Sequence, residues 1–457
     1  MTIPSDQVSS SRPSAAPRAD HDFVSFDGRV RARGQLQQPD RYRYWRSGLA
    51  ETPRISRGSG LSYAAASFLQ GGLSVSHRSF DRVTDFDSAR HVVEVETGIS
   101  LFALHRFLSA RGLYLPIQPG HGRISVGGCI AADVHGKNQS RDGTFINQVE
   151  LITLLHPAHG MLELSPQKDP DLFRLTCGGY GLTGHIIRAR LRASTAPTAW
   201  VQMLAVPFAD AAEGFDRLRL ATRDADFAYT WHDMASSKPG FGSGYIFEGR
   251  FVDEGASTAS DAEPPMLSSK NRGRWPVPLM NAFSARALNL EFRRRQKQLL
   301  QGQVVSLQDA LFPAHKTQLY FQLFGAKGFR EYQAILPDDA IEDYVESVRT
   351  CVRAQPLPIT LSSAKAFVGT RELLRFTGAG VCLALNMSAG AAADQFMAFL
   401  DERVMALGGL PNIIKDSRLP RAVIDTCYGG ADRFRDTLHA FDPKRLFRSD
   451  LSERLGL

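Results

Sequence analysis

Polar and apolar positions along this chain fall into two textures. Over residues 23–197, short β-rich runs alternate with glycine turns. Residues 91–96 alternate with the period of a half-buried strand, and residues 185–191 read as a second strand. One helix interrupts them: Ser100 stands where an N-cap belongs, Leu104, Phe107 and Leu108 form an apolar face, and Gly112 follows the end. Strands with a covering helix predict an α+β unit whose glycine loops let ligand groups approach the backbone.

After Pro197 the segments lengthen. Residues 227–232 and 244–252 read as strands, and residues 255–278, rich in Ser, Pro, Gly and charge, predict a mobile insertion. Residues 281–301 mix Leu288, Leu290, Phe292, Leu299 and Leu300 with Arg293, Arg294, Arg295 and Lys297. This is a basic helix, open to two readings: contact with anionic lipid headgroups, or a solvated face. Two stronger helices are expected over 338–354, carrying Ile341, Tyr344, Val345, Val348 and Val352, and over 391–407, carrying Phe396, Phe399, Leu400, Val404 and Leu407 before Gly408 and Gly409. With strands between them, they suit an antiparallel sheet covered by helices on one face.

Bulk properties narrow the setting. A chain of 457 residues has room for two or three domains, and 43% hydrophobic with 22% charged residues fits a globular enzyme. The net charge of +7 suits an anionic substrate or membrane surface, or simply a basic soluble surface, and no nucleic-acid module accompanies it. Cysteines at 129, 177, 351, 382 and 427 show no C-x-x-C or Cys/His ligand spacing. Reduced thiols, no metal site and a cytoplasmic compartment follow as expectations. Residues 1–22 lack the apolar core of a secretory signal and read as a disordered leader. No run of about eighteen apolar residues predicts a membrane span.

The chemistry concentrates in glycine motifs. R-G-S-G-L-S-Y at 57–63 and P-G-H-G-R-I-S-V-G-G-C-I-A-A-D-V-H-G-K-N at 119–138 read together as a flavin cradle. Their glycines let backbone N–H groups turn toward a diphosphate, and the small run Gly127, Gly128, Cys129, Ala131, Ala132 lets a flat ring lie near the main chain. His135 and Lys137, two apart on an extended segment, would face the reacting end of the cofactor. A third cluster fits G-x-G-x-x-G at Gly179, Gly181 and Gly184, but a strand follows it where a helix should open, and no acidic residue stands about twenty positions on. A Rossmann turn is therefore rejected.

These motifs resemble the vanillyl-alcohol-oxidase superfamily of PCMH-type FAD enzymes, and within it the decaprenylphosphoryl-ribose 2′-oxidases, flavoprotein halves of a 2′-epimerase. Further matching elements are G-G-Y-G-L-T-G at 178–184, G-F-R-E-Y-Q at 328–333, V-C at 381–382, K-D-S-R at 415–418 and D-P-K-R-L-F-R-S-D at 442–450. The resemblance implies a two-domain α+β fold: an FAD-binding domain over 23–197 completed by a C-terminal return over 412–457, and an antiparallel-sheet substrate domain over 198–411. It implies that Gly58, Ser59, Gly60, Leu61 and Ser62 line the diphosphate, with Gly120, Gly127, Gly128 and His135 along the rest of the FAD and Lys415 at its reacting end. Tyr63, His135, Lys137, Gln333, Lys365, Cys382 and Lys415 would face the substrate. Leu61 occupies the place of a flavin-linked histidine in many superfamily members, so non-covalent FAD is implied. Residues 377–380 and 384–387 depart from the close relatives, which bears on the substrate and not on the flavin.

Oxidising a secondary alcohol requires removal of a proton and a hydride, with stabilisation of the negative charge that develops. Lys415 is the expected cation; the bland alternative for K-D-S-R is a solvated charge cluster. His135 and Tyr63 are candidates for the hydroxyl network, Lys137 and Lys365 for a substrate phosphate, and Cys382 for a small pocket-lining residue. The expected reaction is oxidation of the 2′-hydroxyl of a polyprenylphosphoryl-β-D-ribose, the ketone passing to an NAD(P)H-dependent short-chain ketoreductase. An alditol or aldonolactone oxidase using oxygen, and a non-catalytic flavin-binding protein, are the alternatives. A cytoplasmic place, with peripheral contact at the inner membrane, completes the expectation.

Overall fold

Sheets of four, five and eight strands, with a two-stranded ribbon, carry the chain in the computed structural model, which describes residues 16, 18–42, 52–253, 278–313 and 318–457. The four-stranded sheet runs Arg18–Val24, Arg31–Gln37, Leu73–Ser76, Arg54–Arg57, the first pair antiparallel and the other two parallel. Its first strand begins inside the stretch read as a disordered leader. The sequence R-A-D-H-D-F-V has five exposed positions before its first buried one, so backbone pairing, and not an apolar pattern, holds it at the sheet edge. The rest of that stretch, apart from Ala16, and the insertion expected over 255–278, apart from Pro278, lie outside the described residues.

The five-stranded sheet is antiparallel, in the order Val83–Asp87, Val92–Glu96, His185–Arg192, Val149–His156, Gly160–Leu164. Val92–Glu96 is buried at every position instead of at alternate ones. Val93 and Val95 join the core that includes Leu101, Leu104 and Leu108 of the Leu101–Ser109 helix, while Glu94 is covered by Arg188 and Arg190 and Glu96 by Arg82. Ser100 caps that helix, accepting from the Ala103 amide.

The eight-stranded sheet is antiparallel throughout: Gln303–Ser306, Trp200–Phe208, Gly244–Phe251, Phe227–His232, Ile359–Phe367, Gly380–Ser388, Phe329–Leu336, Leu410–Pro411. Phe215 and Leu218 of the Ala211–Asp224 helix, Tyr344 and Val348 of Ile341–Ala354, and Phe396 and Leu400 of Ala391–Ala406 share one core with Tyr332, Ala334, Leu383 and Leu385. Alternation then aims Glu331, Gln333, Ser363, Lys365, Ala384 and Asn386 the other way. A second core joins Val93 and Ile152 to Val201, Trp231 and Phe247, so packing continues across position 197. Beyond residue 412 the chain returns to the four-stranded sheet, where Arg54 pairs in parallel with Phe447 and Arg54 N–H donates to Leu446 O at 2.8 Å.

Candidate active site

A cavity of about 800 Å³ is lined on one side by the glycine loops and on the other by the open face of the eight-stranded sheet. On the loop side, the successive amides of Gly58, Ser59, Gly60, Leu61 and Ser62 donate to no acceptor among the described residues. A Cβ on Gly58 would fall 2.1 Å from Ser125 Oγ, and one on Gly127 would fall 3.1 Å from the Thr97 side chain. The backbone at Gly58 is therefore pressed against the Ser125 side chain of the other loop, and Ser125 also caps the short helix Val126–Ala132. Gly120, Gly127 and Gly128 line the same cavity. Five unengaged donors beside main chain that tolerates no side chain fit the diphosphate of FAD. The Gly178–Gly184 cluster serves the same wall differently. Its Gly178 and Tyr180 amides donate to Ile130 O and Ala131 O, tying down the end of the Val126–Ala132 helix, before the strand His185–Arg192 begins.

The facing wall is made of side chains. The Phe329–Leu336 strand contributes Glu331 and Gln333, Ile359–Phe367 contributes Lys365, Gly380–Ser388 contributes Asn386, and the loop after Pro411 contributes Asn412 and Lys415. Lys415 Nζ lies 3.2 Å from Glu331 Oε1 and 4.3 Å from the centre of the Tyr63 ring. The Tyr63 phenol lies within the field of the Glu331 carboxylate. Asn412 Nδ2 donates to Gln333 Oε1 at 2.6 Å, and Lys365 Nζ stands 3.4 Å from His135 Nδ1. Lys137 Nζ donates to the carbonyls of Ala310 and Leu311, the latter at 2.8 Å, at the end of the Leu307–Leu311 helix.

Burial sets the protonation of this wall. His135, Lys137 and Lys365 are half-buried and line the cavity. Desolvation, then the charges of Glu331 and Asp27, holds the Tyr63 phenol well above its usual range, so it is a neutral donor. Burial and the nearby Lys365 keep the His135 imidazole neutral by lowering its pKa well below the ordinary value. Burial brings Lys365 down to about 8 and pushes Lys137 well below the usual lysine range, with Lys365 adding to the latter.

All the residues read from sequence as flavin or substrate contacts line this one cavity, except Cys382. Cys382 shares the sheet face of Lys365, its strand partner, but is 1% exposed, its thiol pushed up to about 12 by burial. Glu331, Asn386 and Asn412 were missed. Glu331 was within reach of the sequence, because it stands two positions before Gln333 in the same strand and so shares its face. An apolar arm of the cavity was also missed: Met203, Trp231, Phe247 and Val305 from the sheet, with Phe292 and Leu299 from the segment Ala282–Gln301.

Comparison with known proteins agrees with this geometry. Residues 49–165 match the FAD binding domain family. The decaprenylphosphoryl-β-D-ribose oxidase of Mycolicibacterium smegmatis is 28% identical over 417 residues, covering 88% of this chain and 89% of the relative. An uncharacterised protein of Streptomyces coelicolor is 29% identical over 79% of this chain and the whole of its own length. The L-galactono-1,4-lactone dehydrogenase 2 of Oryza sativa is 35% identical, but over only 30% of this chain and 23% of its own. Residues 49–165 carry an FAD binding domain, and the chain binds FAD. It is an FAD-dependent oxidoreductase acting on CH–OH groups.

Proposed function

We propose that the protein oxidises the 2′-hydroxyl of a polyprenylphosphoryl-β-D-ribose to a ketone, as the first half of an epimerisation to arabinose. The observation that carries this reading is the union, in one cavity, of an end holding Lys365, Lys415, Glu331 and Tyr63 with the apolar arm. A sugar phosphate suits the first and an isoprenoid chain the second; a free sugar or lactone offers the arm nothing. Near-full-length similarity to the mycobacterial oxidase, against partial similarity to lactone enzymes, supports the same choice.

Gly58 to Ser62 hold the FAD diphosphate through their amides, with Gly127 and Gly128 beside the rest of the cofactor. Bound FAD supplies the acceptor for the hydride that leaves the carbinol carbon. The hydroxyl proton falls to this chain. Tyr63 oxygen accepts it while passing its own proton to Glu331, and the Lys415 ammonium, held by Glu331 above the Tyr63 ring, stabilises the negative charge during the transfer. Neutral His135 and Gln333, the latter fixed by Asn412, orient the sugar hydroxyls. Lys365 meets the phosphate, whereas Lys137 already donates to two backbone carbonyls. The ketone then requires a separate hydride donor, which an NAD(P)H-dependent short-chain ketoreductase provides.

Anaerobic mixing of the flavoprotein with farnesylphosphoryl ribose, free ribose, alditols and aldonolactones tests the reading. Flavin bleaching by the lipid-linked sugar, at least 100-fold faster than by the others at equal concentration, is expected. Faster bleaching by a lactone or alditol overturns it in favour of a polyol or lactone oxidase.

A further inference from the structure

The helix Ala282–Gln296 and the turn after it have two unlike faces. Inward, Asn289 Nδ2 donates to Asp233 Oδ1 at 2.8 Å, Arg293 reaches Asp233 Oδ2 at 3.3 Å and Ser243 Oγ at 2.7 Å, and Phe292 packs on Trp231 with ring centres 4.6 Å apart. A capping box between Asn281 and Ser284 closes its start. The helix is thus clamped, and Arg293, read from sequence as part of a surface cluster, is one of the clamps.

Outward, Phe283 is 81% and Leu290 69% exposed, with Leu279 at 45% just before the helix and Leu300 at 42% just after it. Half of the large apolar side chains exposed among the described residues therefore fall between positions 279 and 300. Phe283, Ala287, Leu290, Arg294 and Lys297 follow one another at steps of four and three, which puts them on a single stripe. Arg286, Arg294, Arg295 and Lys297 are all exposed around it, and the lone acid, Glu291, is paired to Arg295 at 2.8 Å.

We propose that this face docks the protein on an anionic lipid bilayer, with Phe283 and Leu290 entering the boundary between headgroups and acyl chains and Arg286, Arg294, Arg295 and Lys297 pairing with lipid phosphates. A firmly held helix with an apolar centre and a cationic surround is what such a surface recognises. A second copy of the chain is a poorer occupant, because a two-fold contact through this stripe sets like charges against one another. The inference rests on the surface alone and does not require the substrate proposed above. If both hold, they connect: Phe292 and Leu299 of the same segment wall the apolar arm, so docking brings the arm within about 10 Å, one helix diameter, of the lipid.

Sedimentation of the full-length flavoprotein with phosphatidylcholine vesicles, with and without 30 mol% (roughly a third) phosphatidylglycerol, provides the test. Binding is expected to the anionic vesicles and to weaken in high salt. F283S/L290S should lower the partition coefficient at least tenfold, and R286Q/R294Q/R295Q/K297Q should abolish the preference for anionic lipid, with bound FAD and melting temperature at wild-type values in at least one of the two. Absence of binding by the wild type, or unchanged binding by a variant that retains its FAD, overturns the proposal. So does a wild-type dimer that F283S/L290S converts to monomer without any vesicle binding, which would make the stripe a subunit interface. Vesicle binding without turnover of a lipid-linked sugar would refute the substrate reading and leave this one standing.

Discussion

The two walls of the cavity solve different problems. The loop wall presents backbone: five adjacent amides over 58–62 and glycines that pack against Ser125 and Thr97. The sheet wall presents side chains gathered from three strands and a loop, and its groups are in contact with one another: Glu331 with Lys415 and Tyr63, Lys365 with His135, Gln333 with Asn412. A cofactor whose charge stays fixed is best met by donors that do not titrate. A proton in transit needs groups whose affinities are tuned by their neighbours. Damage to the first wall should cost flavin, and damage to the second should cost rate.

The sharpest break is Gly58→Val, which drives a branched side chain into Ser125 at the junction of the two loops. The protein should be isolated with less than about a tenth of its flavin, measured at 450 nm (about the visible flavin maximum). Wild-type protein should release its FAD into the supernatant on acid precipitation, since Leu61 offers no nucleophile; flavin left on the pellet refutes non-covalent binding. On the other wall, Glu331→Gln and Lys415→Ala should keep full flavin yet slow its anaerobic reduction by substrate by about 10²–10³-fold. Loss of flavin in step with rate would erase the distinction between the walls.

Smaller effects sharpen it. Burial lowers the Lys365 pKa to about 8, so its charge is present below that pH and lost above it. The KM for a phosphate-bearing substrate should therefore rise several-fold from pH 7 to 9, roughly one unit either side of that value, and Lys365→Arg should flatten the rise. A flat wild-type profile would remove Lys365 from the phosphate. Smallest is a stability effect at His232, within the eight-stranded sheet, whose pKa burial lowers to about 4. The unfolded chain takes up this proton first, so stability is intact above about pH 6.5 and falls as pH drops toward 4. His232→Gln should shrink the loss of melting temperature between pH 7 and 5 by a few degrees or less.

The loop wall was legible in the sequence because it is local. A contiguous run of glycines needs only its own neighbours to announce close backbone approach, and positions 57–63 and 119–138 did so without any knowledge of the fold. The helical turn at Val126–Ala132 was less visible, since its two glycines argue against helix and only the Ser125 cap argues for it. The sheet wall was legible only through resemblance. Nothing in the sequence alone sets Glu331 beside Lys415, because their pairing depends on a loop that follows the strand Leu410–Pro411 back across the sheet. Cys382 was expected to face the substrate; it lies on the sheet face of its strand partner Lys365 but is 1% exposed. The edge strand Arg18–Val24 escaped notice for a simpler reason: ladder hydrogen bonds leave no mark on the pattern of side chains.

The pairing of Arg54 with Phe447 has a consequence for how the protein is made. Gln70 N–H, in the segment that follows the first glycine loop, is held by Asp450, 380 residues further along. At about 5–20 residues per second, ribosomal synthesis needs on the order of tens of seconds to cover that gap. During that time the strand bearing the first glycine loop has its edge open, and Lys415 does not yet exist. The nascent chain can form its glycine turns early, but a complete flavin pocket waits for residues 415–450. Supply of FAD should therefore matter once that segment has emerged, when an unloaded chain with all its pocket residues is the species that waits.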